Sequence, residues 1–124
     1  DPLQDAPGDQ DNVQVLLSEI RGNQSAHGLL VMRSGERSGE RFSLALDRVE
    51  IGRNPECTVC LDDVTVSRRH AELRLGSDGY VVTDMGSLNG TYVNQERVEE
   101  ILLQNGDELQ VGKYRMVFFD GASN

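Results

Sequence analysis

The chain has no tryptophan, and only three phenylalanines and three tyrosines among 124 residues. Cysteine, histidine and lysine are scarcer still: Cys57 and Cys60, His27 and His70, and Lys113 alone. One C-x-x-C with two widely spaced histidines does not supply the four ligands that a structural zinc needs. A redox C-x-x-C wants a helix N-terminus to favour its thiolate, whereas Cys57-Thr58-Val59-Cys60-Leu61 reads as strand. No metal, cofactor or redox role is therefore expected, and the two thiols are read as reduced. A Walker-type phosphate loop needs a lysine after its glycines, and Lys113 has no such setting. Long apolar runs are also missing. Runs such as Leu29 to Met32 and Met116 to Phe119 fall far short of the roughly 20 residues that cross a bilayer. No leader with a charged start and an apolar centre is visible, so no membrane insertion and a cytoplasmic location are expected. Positive charge is in short supply, with 12 Lys and Arg against 21 Asp and Glu and a net charge of -9. Nucleic-acid binding rests on displacing counterions with a positive field, so this balance argues against it.

What is present divides the sequence into three stretches. Residues 1–26 hold Asp1, Asp5, Asp9, Asp11 and Glu19 against Arg21 alone, together with Pro2 and Pro7. That composition predicts an acidic, flexible N-terminal tail. Inside it, Val13, Leu16, Leu17 and Ile20 recur at the spacing of one helical face. A helix so short is marginal in water without a surface to dock on. Residues 27–120 are read as the folded domain and 121–124 as a C-terminal tail. From Gly28 on, short β-rich runs alternate with turn residues: Leu29–Arg33, Arg41–Leu46, Arg48–Gly52, Thr58–Leu61, His70–Leu75, Tyr80–Asp84, Thr91–Val93, Glu108–Val111 and Tyr114–Phe119. Turn chemistry separates them at Ser34-Gly35, Asp78-Gly79, Asn89-Gly90 and Asn105-Gly106. This pattern predicts an all-β sandwich, with function carried on the loops at one edge.

Three of those loops join arginine to small polar residues: Gly52-Arg53-Asn54-Pro55, Thr65-Val66-Ser67-Arg68-Arg69-His70 and Gly86-Ser87-Leu88-Asn89-Gly90-Thr91. Guanidinium groups, a hydroxyl and loop N–H groups suit an oxyanion, most naturally a phosphate. The competing reading makes these arginines plain solvated surface charges. An enzyme is a weaker fit. Ser67, His70 and Asp84 supply a hydroxyl, an imidazole and a carboxylate, yet no Gly-x-Ser-x-Gly elbow is present.

Gly52-Arg53, Ser67-Arg68-Arg69-His70 and Ser87-Leu88-Asn89-Gly90-Thr91 with Val93-Asn94, in that order and spacing, resemble the signature of the forkhead-associated (FHA) domain. The resemblance runs from about Gly28 to Phe119. More narrowly, the runs Leu61–Glu72 and Gly86–Asn94 resemble the small actinobacterial FHA regulators, the glycogen accumulation regulators and oxoglutarate dehydrogenase inhibitors. It implies an eleven-stranded, mainly antiparallel sandwich whose loops bind phosphothreonine peptides, with no catalysis. By position, Arg53 would grip the phosphate, Ser67 would donate its hydroxyl to it, and Arg68 would add charge or a main-chain N–H. Ser87, Leu88 and Asn89 would line the peptide, Asn89 holding its main chain. Gly52, His70 and Gly90 would be architectural. Some relatives have threonine where Leu88 stands, so a hydroxyl contact is absent there.

The same resemblance implies as partners Ser/Thr protein kinases and central-carbon enzymes, namely the oxoglutarate dehydrogenase complex and glutamate dehydrogenase, met by a monomer. The alternative is an interaction scaffold that uses the FHA fold without phosphate. Relatives carry an upstream threonine pair that, once phosphorylated, occupies the domain's own pocket. Here no threonine precedes Thr58, so that switch has no residue in this stretch. The resemblance also implies that selectivity is set at the position three residues after the phosphothreonine, read by the loop around Thr65, where Asp62 and Asp63 should disfavour an acidic ligand residue and suit an apolar one.

Overall fold

Alternation of apolar and polar side chains puts one face of each run into a core and leaves the other wet. The computed structural model describes residues 27–121, and these form eleven strands. They are β1 (Gly28–Met32), β2 (Arg41–Leu44), β3 (Arg48–Gly52), β4 (Val59–Cys60), β5 (Ala71–Gly76), β6 (Gly79–Asp84), β7 (Thr91–Val93), β8 (Glu96–Val98), β9 (Glu100–Leu102), β10 (Glu108–Val111) and β11 (Tyr114–Asp120). The helical spacing of Val13 to Ile20 lies outside the described residues, as do both proposed tails apart from Gly121.

Two sheets result, ordered β2-β1-β11-β10-β7-β8 and β4-β3-β5-β6-β9. All pairings are antiparallel except β3 with β4. Leu30, Met32, Leu109, Met116 and Phe118 from the first sheet meet Val49, Ile51, Leu73, Tyr80 and Val82 from the second in one core. Tyr80 fastens the layers. Its ring meets Phe118 edge-on at 6.2 Å, and its hydroxyl donates to the Leu46 carbonyl at 2.6 Å. Burial pushes this phenol up to about 12, so it remains a donor at any ordinary pH.

The nine strands expected from sequence all occur, their ends displaced by no more than two residues. Cys57 is a correction in detail: it sits in the turn before β4, its N–H donating to Asn54 O at 2.9 Å. Strands β8 and β9 were not expected. A two-residue turn, Asn94-Gln95, joins β7 to β8 with φ of 53° and 71°, the geometry of a type I′ hairpin. Asn94 holds it by accepting from Glu108 N at 3.0 Å and donating to Asp107 at 3.0 Å.

Candidate functional site

The β3–β4, β4–β5 and β6–β7 connections converge on one end of the sandwich, and the first contact between them depends on a missing side chain. A Cβ on Gly52 would stand 2.1 Å from the Arg68 carbonyl oxygen and 3.1 Å from Arg69 Cα. Only a bare α-carbon lets the two backbones lie so close. Arg53 N then donates to Ser67 O at 3.0 Å and Asn54 N to Arg68 O at 3.2 Å. Beneath these turns, the Cys57 thiol lies 3.5 Å from Arg68 O and the Cys60 thiol 3.7 Å from Arg53 O. Burial pushes the Cys57 thiol above its ordinary value. The C-x-x-C thus backs the two arginine-bearing turns through these two sulfur-to-carbonyl contacts.

His70, fully buried, ties the second loop to the third. Its Nδ1 accepts from Ser67 N at 3.1 Å and its Nε2 lies 2.7 Å from Gly90 O. Those two partners place the ring proton on Nε2. Both nitrogens are therefore engaged by main chain, and neither serves the Ser67 hydroxyl, which instead accepts from Leu88 N at 3.1 Å. Asp84 is occupied elsewhere, so Ser67, His70 and Asp84 do not form a catalytic relay. A second seam runs beside the first, where Asn89 Nδ2 donates to Thr65 O at 2.9 Å. Asn89 keeps its carbonyl oxygen and one N–H for a ligand.

The third loop is built around Asp84. Its carboxylate accepts from the hydroxyls of Ser87 at 2.5 Å and Thr91 at 2.7 Å, and from Gly86 N and Ser87 N at 3.2 Å each. Burial pushes this carboxyl up, but the four donors outweigh it and hold it below the usual range. Ser87, grouped with the peptide-lining residues in the sequence reading, is buried, and its hydroxyl also accepts from Gly90 N at 2.9 Å. Its place is under the loop rather than on it. Leu88, by contrast, is 85% exposed. At Gly90 (φ +89°) a Cβ would meet Arg97 Nε at 2.8 Å, so Arg97 packs over that α-carbon. Sequence reasoning missed Arg97 because it missed β8.

Charge pairing separates the arginines into two groups. Arg33 and Arg115 pair with Glu108, Arg37 with Glu40, Arg48 with Glu50 and Glu72, Arg74 with Glu72, and Lys113 with Asp63. Among the described residues, Arg53, Arg68 and Arg69 on the loops, and Arg97 on β8, have no carboxylate within ion-pair distance, although acids outnumber bases nearly two to one. An open groove of about 560 Å³ continues from Asn89 and Thr65, lined by Tyr92, Gln95, Gln110, Lys113 and Arg115. It draws on the outer face of the six-stranded sheet, which loop motifs do not reveal. No group of three or more His, Cys, Asp or Glu side chains placed to hold a metal occurs among the described residues.

The FHA domain family model matches residues 49–112, which hold all three loops. The chain belongs to the FHA family. Its FHA domain is similar to the glycogen accumulation regulator GarA of Mycolicibacterium smegmatis, 50% identical over 105 residues, covering 85% of this chain and 66% of that one. GarA of Mycobacterium tuberculosis is 48% identical over 117 residues, 94% of this chain and 72% of its own length. The oxoglutarate dehydrogenase inhibitor of Corynebacterium jeikeium is 50% identical over 103 residues, 83% of this chain and 72% of that one. The chain thus spans about two thirds to three quarters of these relatives' lengths. Among solved structures, an FHA domain studied for its phosphothreonine-dependent interactions superposes with a TM-score of 0.69 at 31% identity, covering 75% of this chain and 95% of that one. An engineered FHA domain with a Myc-pTBD peptide gives a TM-score of 0.67 at 27% identity, covering 79% and 94%.

Proposed function

We propose that this FHA domain is a phosphothreonine-peptide-binding regulator of metabolic enzymes, acting in the cytoplasm downstream of Ser/Thr protein kinases, and that it is not itself an enzyme. The observation that carries the reading is the unpaired state of Arg53, Arg68 and Arg69 among the described residues of an acidic chain. Cations left without carboxylates, beside the Ser67 hydroxyl and the Asn89 amide, await an anion supplied from outside. A phosphothreonine brings a charge of about -1.5 to -2 and three strong acceptors. Arg53 takes the phosphate as a fork of N–H donors, Ser67 rotates its hydroxyl proton to a second oxygen, and Arg68 adds charge. Asn89 holds the peptide main chain with the groups its bond to Thr65 leaves over. Two or three charge-assisted bonds at roughly 1.5–3 kcal/mol each, less ordering costs, suit micromolar affinity. The extra methyl of threonine over serine adds about 1–3 kcal/mol if an apolar recess receives it.

The names of the relatives suggest the targets: an oxoglutarate dehydrogenase complex, and by family resemblance glutamate dehydrogenase and kinase activation loops. A phosphate-independent contact with such partners has its own support. Val64 and Leu88 are 87% and 85% exposed, each one residue before a member of the Thr65–Asn89 seam, and bare apolar side chains in that position invite a protein surface. Titration calorimetry with one activation-loop peptide, phosphorylated and not, tests the proposal. Micromolar binding that needs both the phosphate and Arg53 is expected. Equal binding of the two peptides, or no effect of Arg53→Ala, would refute phosphate reading and leave the scaffold alternative.

A further inference from the structure

Resting on that phosphothreonine reading, we propose that the groove beside Asn89 receives an acidic stretch of the same ligand, so that this chain selects phosphothreonine peptides with carboxylates close to the phosphorylated residue. Thr65 and Asn89 form one wall of the groove, and they are the pair whose hydrogen bond joins the second loop to the third. A peptide held at Asn89 therefore enters the groove directly. Its lining side chains are donors: Lys113, Arg115, Gln95, Gln110, Tyr92 and Asn89, with no carboxylate among them. On a chain of net charge -9, a continuous wall without an acid is a selective surface.

The register extends the positive row. Arg97, Tyr92, Gln110 and Arg115 stand directly opposite one another across β8, β7, β10 and β11. Arg97 and Arg115 thus frame Tyr92 and Gln110 on the solvent face. Arg115 and Arg33 share one carboxylate, Glu108, and Arg97 has no ion-pair partner among the described residues. The face therefore carries surplus positive charge that an acidic ligand would neutralise.

The sequence-based expectation was the opposite, because Asp62 and Asp63 sit next to Thr65. Asp63, however, is turned inward to its own loop. Its carboxylate accepts from the Thr65 hydroxyl at 2.6 Å and Thr65 N at 2.9 Å, and pairs with Lys113 at 3.1 Å. It positions the groove's lysine instead of repelling the ligand, and Asp62 is not part of the lining.

Fluorescence anisotropy with a set of phosphothreonine peptides decides the matter, the residues on either side being Asp and Glu in some and Asn and Gln in others. Wild type should favour the acidic flank on one side by about three- to tenfold, the range expected of two exposed cations. The preference should shrink as salt is raised. Lys113→Gln with Arg115→Gln should abolish it, and Arg115→Lys should keep most of it. Equal affinity for all flanks in wild type overturns the proposal, as does a preference that survives the double substitution. If unphosphorylated peptides bind as well as phosphorylated ones, the phosphothreonine reading fails, and the acidic-to-amide ratio still decides the groove.

Discussion

Gly52→Ala is the substitution that tests how the site is assembled. The added methyl would lie 2.1 Å from the Arg68 carbonyl oxygen, 2.9 Å from its carbonyl carbon and 3.1 Å from Arg69 Cα, all of them main chain. An unstrained carbon–oxygen contact needs about 3.3 Å, so the Ser67–His70 turn must retreat by roughly 1 Å. Three main-chain bonds cross that boundary: Arg53 N to Ser67 O, Asn54 N to Arg68 O and His70 N to Ile51 O, at 3.0, 3.2 and 2.9 Å. At about 1 kcal/mol for each of the three bonds, with about 1–3 kcal/mol of overpacking strain added, the domain should lose about 4–6 kcal/mol. Urea unfolding followed by circular dichroism measures this directly. The loss in phosphopeptide affinity should be at least about tenfold, because Arg53 and Ser67 are held in register by those same bonds, and tenfold is only 1.4 kcal/mol. Gly76→Ala is the matching control. Its methyl would meet only Gly79 O at 3.8 Å, and its cost should stay within about 0.5 kcal/mol. If Gly52→Ala unfolded within about 0.5 kcal/mol of wild type and bound within twofold, the close approach at Gly52 would not organise the site.

The hub at Asp84 gives a prediction in pH. Its carboxyl is held below the ordinary value, so the stabilisation is present above pH ~4 and is lost as pH falls through the lower folded value. Urea midpoints should drop below pH ~4, and Asp84→Asn, costing about 2 kcal/mol at neutral pH, should flatten that part of the profile. Ser87→Ala should cost about 1–3 kcal/mol by leaving Gly90 N unpaired, whereas Leu88→Ala should change stability by less than about 0.5 kcal/mol. A Ser87→Ala protein as stable as wild type would show that its hydroxyl does not brace the loop. Cys57, buried and with its thiol pushed up, should resist iodoacetamide at neutral pH in the native state and react once urea is added. Mass spectrometry of the alkylated peptides reads this, and rapid native labelling of Cys57 would contradict the packing.

How much of this was legible in the sequence follows from what each part depends on. The core strands announce themselves because one face must be apolar: Ala71, Leu73 and Leu75 alternate with polar residues, and that pattern is local. Strands β8 and β9 did not, because Glu96-Arg97-Val98 and Glu100-Ile101-Leu102 belong to the edges of their sheets, where burial exerts little selection. Their turn carries Asn94-Gln95 rather than a glycine pair, and Asn94 tolerates the left-handed backbone through two side-chain bonds that no local pattern contains. The candidate site was legible as three loop motifs, since arginine, serine and asparagine beside glycine are readable in order.

What the order hid was direction. Ser87 and Asn89 are two residues apart and equally polar, yet the carboxylate of Asp84 draws one under the loop and the carbonyl of Thr65 holds the other on its surface. Asp63 shows the same in charge. Counted along the chain it is a negative neighbour of the ligand; in space it is the acceptor for Thr65 and the partner of Lys113, a residue fifty positions away. A one-dimensional charge count assigns each group its full field, whereas the field a ligand meets is what remains after pairing. The sign of the groove is therefore a property of the fold, and the peptide-flank comparison measures it where the sequence and the structure give opposite answers.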